Sequence, residues 1–373
     1  MSRLLHVADV HLDAPLGGFG RDAETRRAQT LDAFRGLPDT AAEHTVDAVV
    51  IAGDLFDRPR PTEATIIAVG EVVRRLGEHG IPVFAVPGNH DARALNPGLY
   101  ADALTGATVF ESPRFGPPAR VALDTGDLLV YGLAYDAAEE PDPLSTFRRA
   151  DDERGFHVLL LHGSIPGAPH WEGGSSLPLP LDRLSSLGAD YLALGDLHRF
   201  RGPAELDGLP AAYPGSFAAV DFTETGVHGP LLVELARGGA PRIRRLPSGV
   251  REVGEPVRVD VSACADDRDV ADAVFRLCAP DAYPVVTLEG EPGYPLDPDA
   301  VLAMLEERAG AAALRDESRF FDSRRLSEIA RQSTIAGHVA RLGLRRIEAA
   351  AGEAERKALE QGLRIALRVM EVA

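Results

Sequence analysis

The chain has 373 residues, of which 45% are apolar and 26% charged, so we expect a packed core of two domains or of one large domain with an appendage, not wholesale disorder. Acidic residues outnumber basic ones by 57 to 39, giving a formal charge of −18, which argues against an unaided grip on duplex DNA because that grip needs many cationic contacts to phosphate. The two cysteines, Cys264 and Cys278, are too few for a disulfide framework or a structural zinc cluster. The N-terminus lacks the features of a signal peptide, and no apolar run approaches the ~20 residues of a membrane span. We therefore expect a soluble, cytoplasmic protein with no membrane association.

Five short aliphatic runs, typical of buried strands, lead directly into polar or glycine residues. They are Leu4–Ala8 before Asp9 and His11, Ala48–Ala52 before Gly53 and Asp54, Pro82–Val86 before Gly88, Asn89, His90 and Asp91, Val158–Leu161 before His162 and Gly163, and Tyr191–Leu194 before Gly195, Asp196, Leu197 and His198. Apolar residues at helical spacing over Thr62–His79 predict a helix closed by Gly80. Strands alternating with helices favour βαβ units, whose ligands lie outside the carboxyl ends of the strands. The five polar groups are therefore expected on one rim.

The second half of the chain changes in texture. Leu231–Leu235 and Arg242–Leu246 predict two strands around Gly238-Gly239. A small α/β unit is predicted next, with a strand from Val257 to Val261, a helix over Asp267–Cys278, a strand over Val285–Leu288 and a helix over Pro298–Ala309. The tail from Ser323 to Ala373 is charged and helical, with breaks expected at Gly337, Gly343, Gly352 and Gly362.

The polar residues at the strand ends have the chemistry of metal ligands. Asp9 and His11 are two residues apart, so on an extended segment their side chains point to the same face. The other strand ends add Asp54, Asn89, His90, His162 and His198. Carboxylate, amide and imidazole donors without thiolate suit Mn²⁺, Fe²⁺ or Zn²⁺ better than a soft metal. One carboxylate able to bridge, with ligands in two groups, suits a pair of cations about 3.5–4 Å apart.

Each group alone has a structural explanation. Asp9-Val10-His11 is compatible with a capped turn, Gly53-Asp54 with a simple turn, and Asn89-His90-Asp91 with a surface loop. His162 alone is compatible with a hydrogen-bonded core histidine. Five such groups in order, each directly after a buried strand, favour one shared site.

Taken together, these motifs resemble the calcineurin-like metallophosphoesterases. Leu161–Gly167 and Tyr213-Pro214-Gly215-Ser216 are similar to the SbcD/YhaO branch of DNA repair exonucleases. The resemblance covers roughly residues 1–245. It implies an α/β fold, a four-layer α/β/β/α sandwich, followed by a small α/β capping domain and C-terminal helices. The expected domains are a nuclease domain over residues 1–248, the capping domain over 249–318 and a helical segment over 319–373.

The resemblance also implies a role for each position. Two divalent cations are expected, Mn²⁺ by preference with Mg²⁺, Fe²⁺ or Zn²⁺ as alternatives. Asp9, His11 and His198 would hold one cation, Asp54 would bridge, and Asn89 and His162 would hold the other. His90, with Asp91 beside it to orient the ring and favour its protonation, would form the catalytic pair facing the scissile phosphate. Asp57 and Asp91 would fix the orientation of the ligands from behind.

Asp196 departs from the family pattern, which has Gly-His-x-His where this chain has Gly195-Asp196-Leu197-His198. In one interpretation, which we favour, Asp196 ligates the second cation as an anion, which favours Mn²⁺ or Mg²⁺ and lowers the Lewis acidity felt by the attacking water. In the other, Asp196 turns away, the second cation binds weakly and catalysis is slow or lost. A flexible connection is also predicted at Gly173–Ser176.

Three functions follow as hypotheses. The leading one is a Mn²⁺-dependent phosphodiesterase that acts on DNA ends in repair, beside an SMC-like coiled-coil ATPase that carries much of the DNA binding. The helical tail would dock that partner, since amphipathic helices commonly lie in partner grooves, and dimerisation through the catalytic domain is implied by the resemblance. The second hypothesis is a stand-alone phosphoesterase for a small nucleotide or metabolite. The third is a scaffold whose metal pair Asp196 has spoiled.

Overall fold

Strands buried on both faces dominate the N-terminal part of the chain. The computed structural model describes the chain except for residues 59, 92–97, 136–141, 153, 167–175, 295, 319–322 and 372–373. Leu4 and Leu5 are both fully buried although successive strand side chains point in opposite directions, so this strand needs an apolar layer on each side. By its internal contacts the chain divides into two units, Met1–Glu252 and Val253–Ala373.

The strands of the first unit form two sheets. In chain order they are β1 (Ser2–Val7), β2 (Ala48–Ala52), β3 (Val83–Val86), β4 (Thr108–Val109), β5 (Ala119–Val121), β6 (Leu128–Leu133), β7 (Phe156–His162), β8 (Tyr191–Gly195), β9 (Ala211–Ala212), β10 (Leu231–Leu235) and β11 (Arg242–Arg245). Among the described residues, one sheet has the order β11-β10-β1-β2-β3-β4 and the other β5-β6-β7-β8-β9. The pairs β1–β2, β2–β3, β6–β7 and β7–β8 are parallel, so their carboxyl ends share an edge within each sheet.

The two sheets pack face to face through an apolar layer. Leu4, Val50 and Val86 of the first sheet belong to the same buried cluster as Val158 and Ala193 of the second. Each fully buried aliphatic side chain of this kind contributes about 1.5–3 kcal/mol relative to exposure. The inter-sheet layer therefore fixes the strand ends of one sheet against those of the other.

Helices cover the outer faces of the sandwich. They are α1 (Ala23–Arg35), α2 (Leu37–Glu43), α3 (Glu63–Glu78), α4 (Leu99–Ala103) and α5 (Leu181–Ser186). Phe34 of α1 and Val72 of α3 pack with Val49 on the outer face of the first sheet. Leu184 of α5 packs with Leu159 on the outer face of the second. The order helix, sheet, sheet, helix confirms the predicted four-layer α/β/β/α sandwich.

The predicted helix after β2 is confirmed as α3. Its apolar residues face the core, and the Thr62 hydroxyl caps it by accepting from the Thr65 amide at 3.2 Å. Gly80, just beyond its C-terminus, has a φ of 71° that suits glycine. The helix therefore ends where the sequence places its closing glycine.

The second unit begins with a small α/β fold. It contains β12 (Val257–Asp260), α6 (Asp267–Leu277), β13 (Val285–Glu289), α7 (Pro298–Ala309) and β14 (Ala313–Asp316). The three strands are parallel, in the order β12-β13-β14, and the buried side chains of α6 and α7 pack with them in one cluster. The predicted strands and helices of this region are confirmed, whereas the domain boundaries at residues 248 and 318 stay predictions.

The tail is helical, but three of its four expected breaks are absent. The helices are α8 (Ser323–Arg331), α9 (Ile335–Glu348) and α10 (Glu353–Glu371). Of the four glycines, Gly352 lies between α9 and α10, while Gly337 and Gly343 lie inside α9 and Gly362 inside α10. A Cβ at Gly343 would lie 2.5 Å from Leu363 Cδ2, so the close approach of α9 and α10 outweighs the cost of about 1 kcal/mol for a helical glycine. The expected breaks at Gly337, Gly343 and Gly362 were wrong.

Two further sequence predictions concern membranes and a flexible connection. None of the helices in the described part of the chain combines the length and apolar character needed to cross a membrane. Residues 173–175 of the connection predicted at Gly173–Ser176 lie outside the described residues.

Candidate metal centre

The five polar groups of the first unit lie at the carboxyl ends of β1, β2, β3, β7 and β8, and the structure brings them together. His162 Nε2 lies 3.3 Å from Asp54 Oδ2, and His11 Nε2 lies 3.9 Å from the same oxygen. Asp54 thus stands between a strand end of the second sheet and one of the first. The expected convergence on one rim is observed across both sheets of the sandwich.

The backbone that carries these side chains is not extended, contrary to the sequence prediction. Asp9, His11 and Asp54 have φ values of 50°, 48° and 50°, a left-handed conformation that non-glycine residues seldom adopt. The amides of Val10 and His11 both donate to the Asp54 carbonyl, at 2.9 and 3.1 Å, so the two loops hold each other in this conformation. Asp9 and His11 meet through strained turns fixed by tertiary hydrogen bonds, which is typical of functional sites.

The first ligand group consists of Asp9, His11 and His198, whose donor atoms all lie within 4.8 Å of one another. His11 Nε2 and His198 Nε2 face each other at 3.0 Å. Two imidazole nitrogens this close repel unless a proton or a cation lies between them. All three residues are those predicted to hold the first cation.

The second group is formed by Asp54, Asn89 and His162. His162 Nε2 lies 2.9 Å from Asn89 Oδ1, and its Nδ1 donates to the Ala52 carbonyl oxygen at 2.8 Å. That bond leaves the lone pair of Nε2 directed at the site, the arrangement expected of a metal-ligating histidine. Asp9 also lies within 4.8 Å of the Asp54 and His162 donor atoms, so the two groups adjoin.

Glycines allow this crowding. A Cβ on Gly53 would lie 2.6 Å from Cγ of His162, and one on Gly195 would lie 2.9 Å from its Nδ1. A Cβ on Gly88 would lie 2.6 Å from the Asp54 amide nitrogen and would overlap the Asp54 carboxylate. The glycine of each Gly-Asp or Gly-Asn pair is therefore needed here because the backbone comes too close to His162 or to Asp54 for any side chain to fit.

The donor set fits two divalent cations. It combines carboxylate, amide and imidazole donors and contains no thiolate, which suits a hard or borderline metal. Asp9 and Asp54 are at most 2% exposed, and buried carboxylates need paired positive charge. Cations at this site would supply that charge.

Asp196 lies beside the second group. Its Oδ1 is 3.5 Å from His162 Nε2 and accepts from the Ser176 hydroxyl at 3.0 Å, while its Oδ2 accepts from Ser164. Its amide donates to the Asp9 carboxylate at 3.0 Å. The carboxylate is thus within reach of the second cation position, yet both oxygens are already hydrogen-bonded.

The contact expected between Asp91 and His90 is not found, and that expectation was wrong. The Asp91 carboxylate accepts from the amides of Leu55, Phe56 and Gly88 at 2.9–3.2 Å, so it is directed inward and ties the loop after β2 to the loop after β3. The His90 Nδ1 instead donates to the carbonyl oxygen of Asp57 at 2.9 Å. Neighbours in a tight turn point apart, which the sequence alone did not reveal.

The Asp57 carboxylate lies behind two histidines. Its Oδ1 lies 3.3 Å from His11 Nδ1 and 3.8 Å from His90 Nδ1. The orienting role of Asp57 stays a prediction. The His90 side chain is 41% exposed, against 2% for His11, so His90 is accessible to a substrate.

Electrostatic coupling runs through the whole cluster. Burial opposes ionisation of Asp54, but the charges of His162 and His11 outweigh it and lower the pKa of Asp54. Burial raises the pKa of Asp9 to about 6, and it raises that of Asp91 to about 7 with a contribution from Asp54. Burial also opposes protonation of His198, yet its hydrogen bond to Glu224 and the charge of Asp9 raise its pKa to about 9. Without metal, protons therefore neutralise part of this charge.

Sequence reasoning missed residues that surround the ligands. Glu224 lies 2.7 Å from His198 Nδ1, although no periodicity or motif marked it. Arg199 and Arg201 line a cavity of about 330 Å³ that Asp54, Asn89 and His90 also line. Their position within three residues of His198 was the one feature of the sequence that could have indicated a place in the site.

The class of protein is defined by comparison as well as by geometry. Residues 2–200, more than half of the chain, match the family model described as calcineurin-like phosphoesterase. The chain belongs to the calcineurin-like metallophosphoesterases, a family that uses divalent metals. The predicted resemblance is confirmed.

Within this family, the chain is similar to several individual proteins. The chain is similar to the DNA double-strand break repair protein Mre11 of Aeropyrum pernix, with 35% identity over 66% of this chain and 61% of that protein. It is also similar to the Mre11 of Haloferax volcanii, with 31% identity over 86% of this chain and 69% of that protein. The Bacillus subtilis metallophosphoesterase YhaO shares 31% identity over 63% of this chain and 57% of its own length. The chain thus spans between a half and about two thirds of these relatives.

Gly88→Ala should abolish high-affinity Mn²⁺ binding, because the added methyl group displaces Asp54. The matched control is Gly77→Ala in α3, where a Cβ meets nothing within 4 Å. Calorimetric titration with Mn²⁺ checks both variants. Wild-type affinity in Gly88→Ala would contradict the close packing described here.

Binding of Mn²⁺ at pH 7.5 should release protons. The folded-state pKa of His198 is raised to about 9, so a metal ion must displace a proton below that pH, and affinity should rise as the pH increases from about 7 to 9. Calorimetry in two buffers of different ionisation enthalpy measures the release. Equal binding heats in both buffers would contradict the prediction.

Asp196→His should preserve the binding of two cations and shift the preference away from Mn²⁺ and Mg²⁺ towards Zn²⁺, because a neutral imidazole replaces an anion. Metal stoichiometry by elemental analysis, after equilibration with each metal, tests this. If the variant binds a cation that the wild type lacks, Asp196 is not a ligand.

Proposed function

We propose that this metallophosphoesterase is a Mn²⁺-dependent phosphodiesterase that cleaves DNA, as an exonuclease or endonuclease in DNA repair. The observation that carries the proposal is the position of His90. Its side chain, 41% exposed, lines the same cavity as Asp54 and Asn89. An accessible imidazole next to a buried ligand cluster is suited to contact a phosphate ester while the ester is hydrolysed there.

In this proposal each residue has a defined task. Asp9, His11 and His198 would hold one cation, Asn89, His162 and Asp196 would hold the other, and Asp54 would be shared between them. The bound cations would lower the pKa of a water and neutralise charge on the phosphate. The Nδ1–H of His90 donates to the Asp57 carbonyl oxygen, so His90 acts in its imidazolium form, whose second proton, on Nε2, would be donated to a phosphate oxygen or to the leaving group. Asp91 keeps the loop that carries His90 in place.

The cavity favours a nucleic-acid strand over a small monoester. Arg199 and Arg201 line it beside the ligands, and arginine is suited to binding phosphates on either side of a scissile one. Two of the relatives described above bear the name of DNA double-strand break repair proteins. These observations support DNA as the substrate.

A partner would supply further DNA contacts. A chain with a formal charge of −18 is poorly suited to holding a duplex alone. Ile335 and Leu342 on α9 and Ile365 and Val369 on α10 are 77%, 45%, 53% and 65% exposed, so the C-terminal helices offer apolar surface. We propose that they dock an SMC-like coiled-coil ATPase. A homodimer and a cytoplasmic location stay predictions.

A weakened catalyst is the second candidate, and one observation favours it. The Ser164 and Ser176 hydroxyls already occupy both oxygens of Asp196, which would reduce its hold on the second cation. In that case one cation binds tightly and turnover is slow. Metal stoichiometry and turnover measured together separate this candidate from the first.

His90→Ala should lower the turnover of linear DNA with Mn²⁺ by about 10²–10⁴-fold and leave two-cation binding unchanged, because His90 is not among the proposed ligands. His79→Ala, an exposed histidine at the end of α3, is the matched control. DNA cleavage is measured on a labelled linear duplex, with and without the coiled-coil ATPase.

The same variants are assayed on bis(p-nitrophenyl) phosphate. Hydrolysis of that ester without any DNA cleavage, even with the ATPase present, would move the assignment to a small-molecule phosphoesterase. The absence of both activities together with weak metal binding would favour the scaffold.

A further inference from the structure

Glu224 lies buried behind His198, on the side of the ring away from the metal ligands. It is 5% exposed, and its Oε1 lies 2.7 Å from His198 Nδ1. The other nitrogen of the ring, Nε2, faces His11 Nε2 at 3.0 Å. A carboxylate that accepts from Nδ1–H leaves the lone pair on Nε2, which is the form of histidine that binds a metal.

We propose that Glu224 is a positioning residue, which holds the His198 imidazole so that Nε2 stays directed at the cation shared with Asp9 and His11. The inference rests on the metal centre of the proposed function and extends it to a residue outside the ligand set. Glu224 acts through His198 and touches neither cation nor substrate.

The second oxygen of Glu224 anchors it to the protein. Oε2 accepts from the Ser216 hydroxyl at 2.6 Å and from the Val220 amide at 2.9 Å. The ring of His228 packs against the same segment, with Nε2 3.1 Å from the Glu224 carbonyl oxygen. The two carboxylate oxygens therefore have separate tasks, since one contacts the ligand histidine and the other fixes the side chain. Ser216 is the last residue of the Tyr-Pro-Gly-Ser motif, so one role of this motif is to fix the Glu224 carboxylate.

A buried arginine holds the loop that carries Glu224. Arg26, 1% exposed, donates from Nε and Nη2 to the Ala219 carbonyl oxygen at 2.9 and 2.7 Å. Its Nη1 donates to the Arg251 carbonyl oxygen at 2.8 Å, and its guanidinium lies over the Phe19 ring. Several buried hydrogen bonds to one loop are expected where the loop must hold a side chain in a fixed position.

Glu224→Gln tests the role with almost no change in shape. The amide keeps one oxygen acceptor, but its NH₂ group must face either His198 Nδ1–H or the Val220 amide, and both are donors. We expect one of the two Mn²⁺ affinities to fall by about 10–100-fold and the other to stay within two-fold. Glu78→Gln, on the exposed face of α3, is the matched control and should bind as the wild type does.

A double-variant cycle separates positioning from mere stabilisation. On a His198→Ala background, Glu224→Gln should cause no further loss of Mn²⁺ affinity, because the ring through which Glu224 acts is gone. Equal losses on both backgrounds, or unchanged affinity in folded Glu224→Gln, would overturn the inference. Calorimetry with Mn²⁺ alone on the full chain measures affinity, and circular dichroism confirms folding.

Ser216→Ala provides a second variant if Glu224→Gln does not fold. It removes one anchor of Oε2 and should weaken the same cation several-fold, again with no effect on the His198→Ala background; unchanged affinity would count against the inference. A wild type that binds no Mn²⁺ would overturn both the proposed function and this inference. Two-site Mn²⁺ binding that depends on Glu224, without DNA cleavage, would overturn the proposed function alone.

Discussion

The central constraint on this structure is the enclosure of several carboxylates and imidazoles in one small volume. Asp9 and Asp54 are at most 2% exposed, and His162 is fully buried between them. Removing carboxylates from water is costly unless opposite charge and hydrogen bonds replace the lost hydration. Burial opposes protonation of His198 and ionisation of Asp54, yet the hydrogen bond to Glu224 raises the pKa of His198 and the charges of His162 and His11 lower the pKa of Asp54, so imidazolium charge offsets part of this cost. Divalent cations would do so more completely.

The sandwich architecture follows from the need to bring these groups together. No single parallel sheet carries all of the ligands, since Asp54 follows β2 of one sheet while His162 ends β7 of the other. Packing the two sheets face to face fixes the distance between these strand ends. Glycines at positions 53 and 195 then allow the backbone of each loop to approach the His162 ring. The packing of the two sheets and the missing side chains at these glycines therefore act together to bring the ligands close to one another.

The sequence predicted what depends on local pattern. Buried aliphatic runs identified strands such as β2, and the helix predicted over Pro298–Ala309 is α7 with both ends correct. It failed where tertiary contacts decide conformation. The extended backbone expected at Asp9 and His11 is replaced by left-handed turns that depend on amide bonds to the loop after β2, and no local pattern encodes those bonds.

The same distinction explains the errors at single side chains. Asp91 was expected to contact its neighbour, but it accepts from amides in a loop more than thirty residues earlier. Glu224 reaches His198 across 26 positions in the sequence, a separation at which spacing gives no information. Gly343 is kept inside a helix because α10 packs against it. In each of these three cases the partner of the residue is distant in the chain.

The groups behind the imidazoles make the two proposed ligand groups unequal. The Glu224 carboxylate accepts from His198 Nδ1 and the Asp57 carboxylate lies 3.3 Å from His11 Nδ1, whereas His162 donates to a neutral backbone carbonyl. A carboxylate behind an imidazole makes its metal-facing nitrogen a stronger donor than a carbonyl does. The first ligand group therefore has a carboxylate close to Nδ1 of each of its histidines, while the second combines the Asn89 amide with a histidine supported by a neutral carbonyl. Asp196 adds a negative charge beside the second ligand group, 3.5 Å from His162 Nε2. If Asp196 ligates as proposed, a carboxylate in place of the usual histidine would strengthen the electrostatic hold on the second cation and would reduce the positive charge that the cation presents to a phosphate ester.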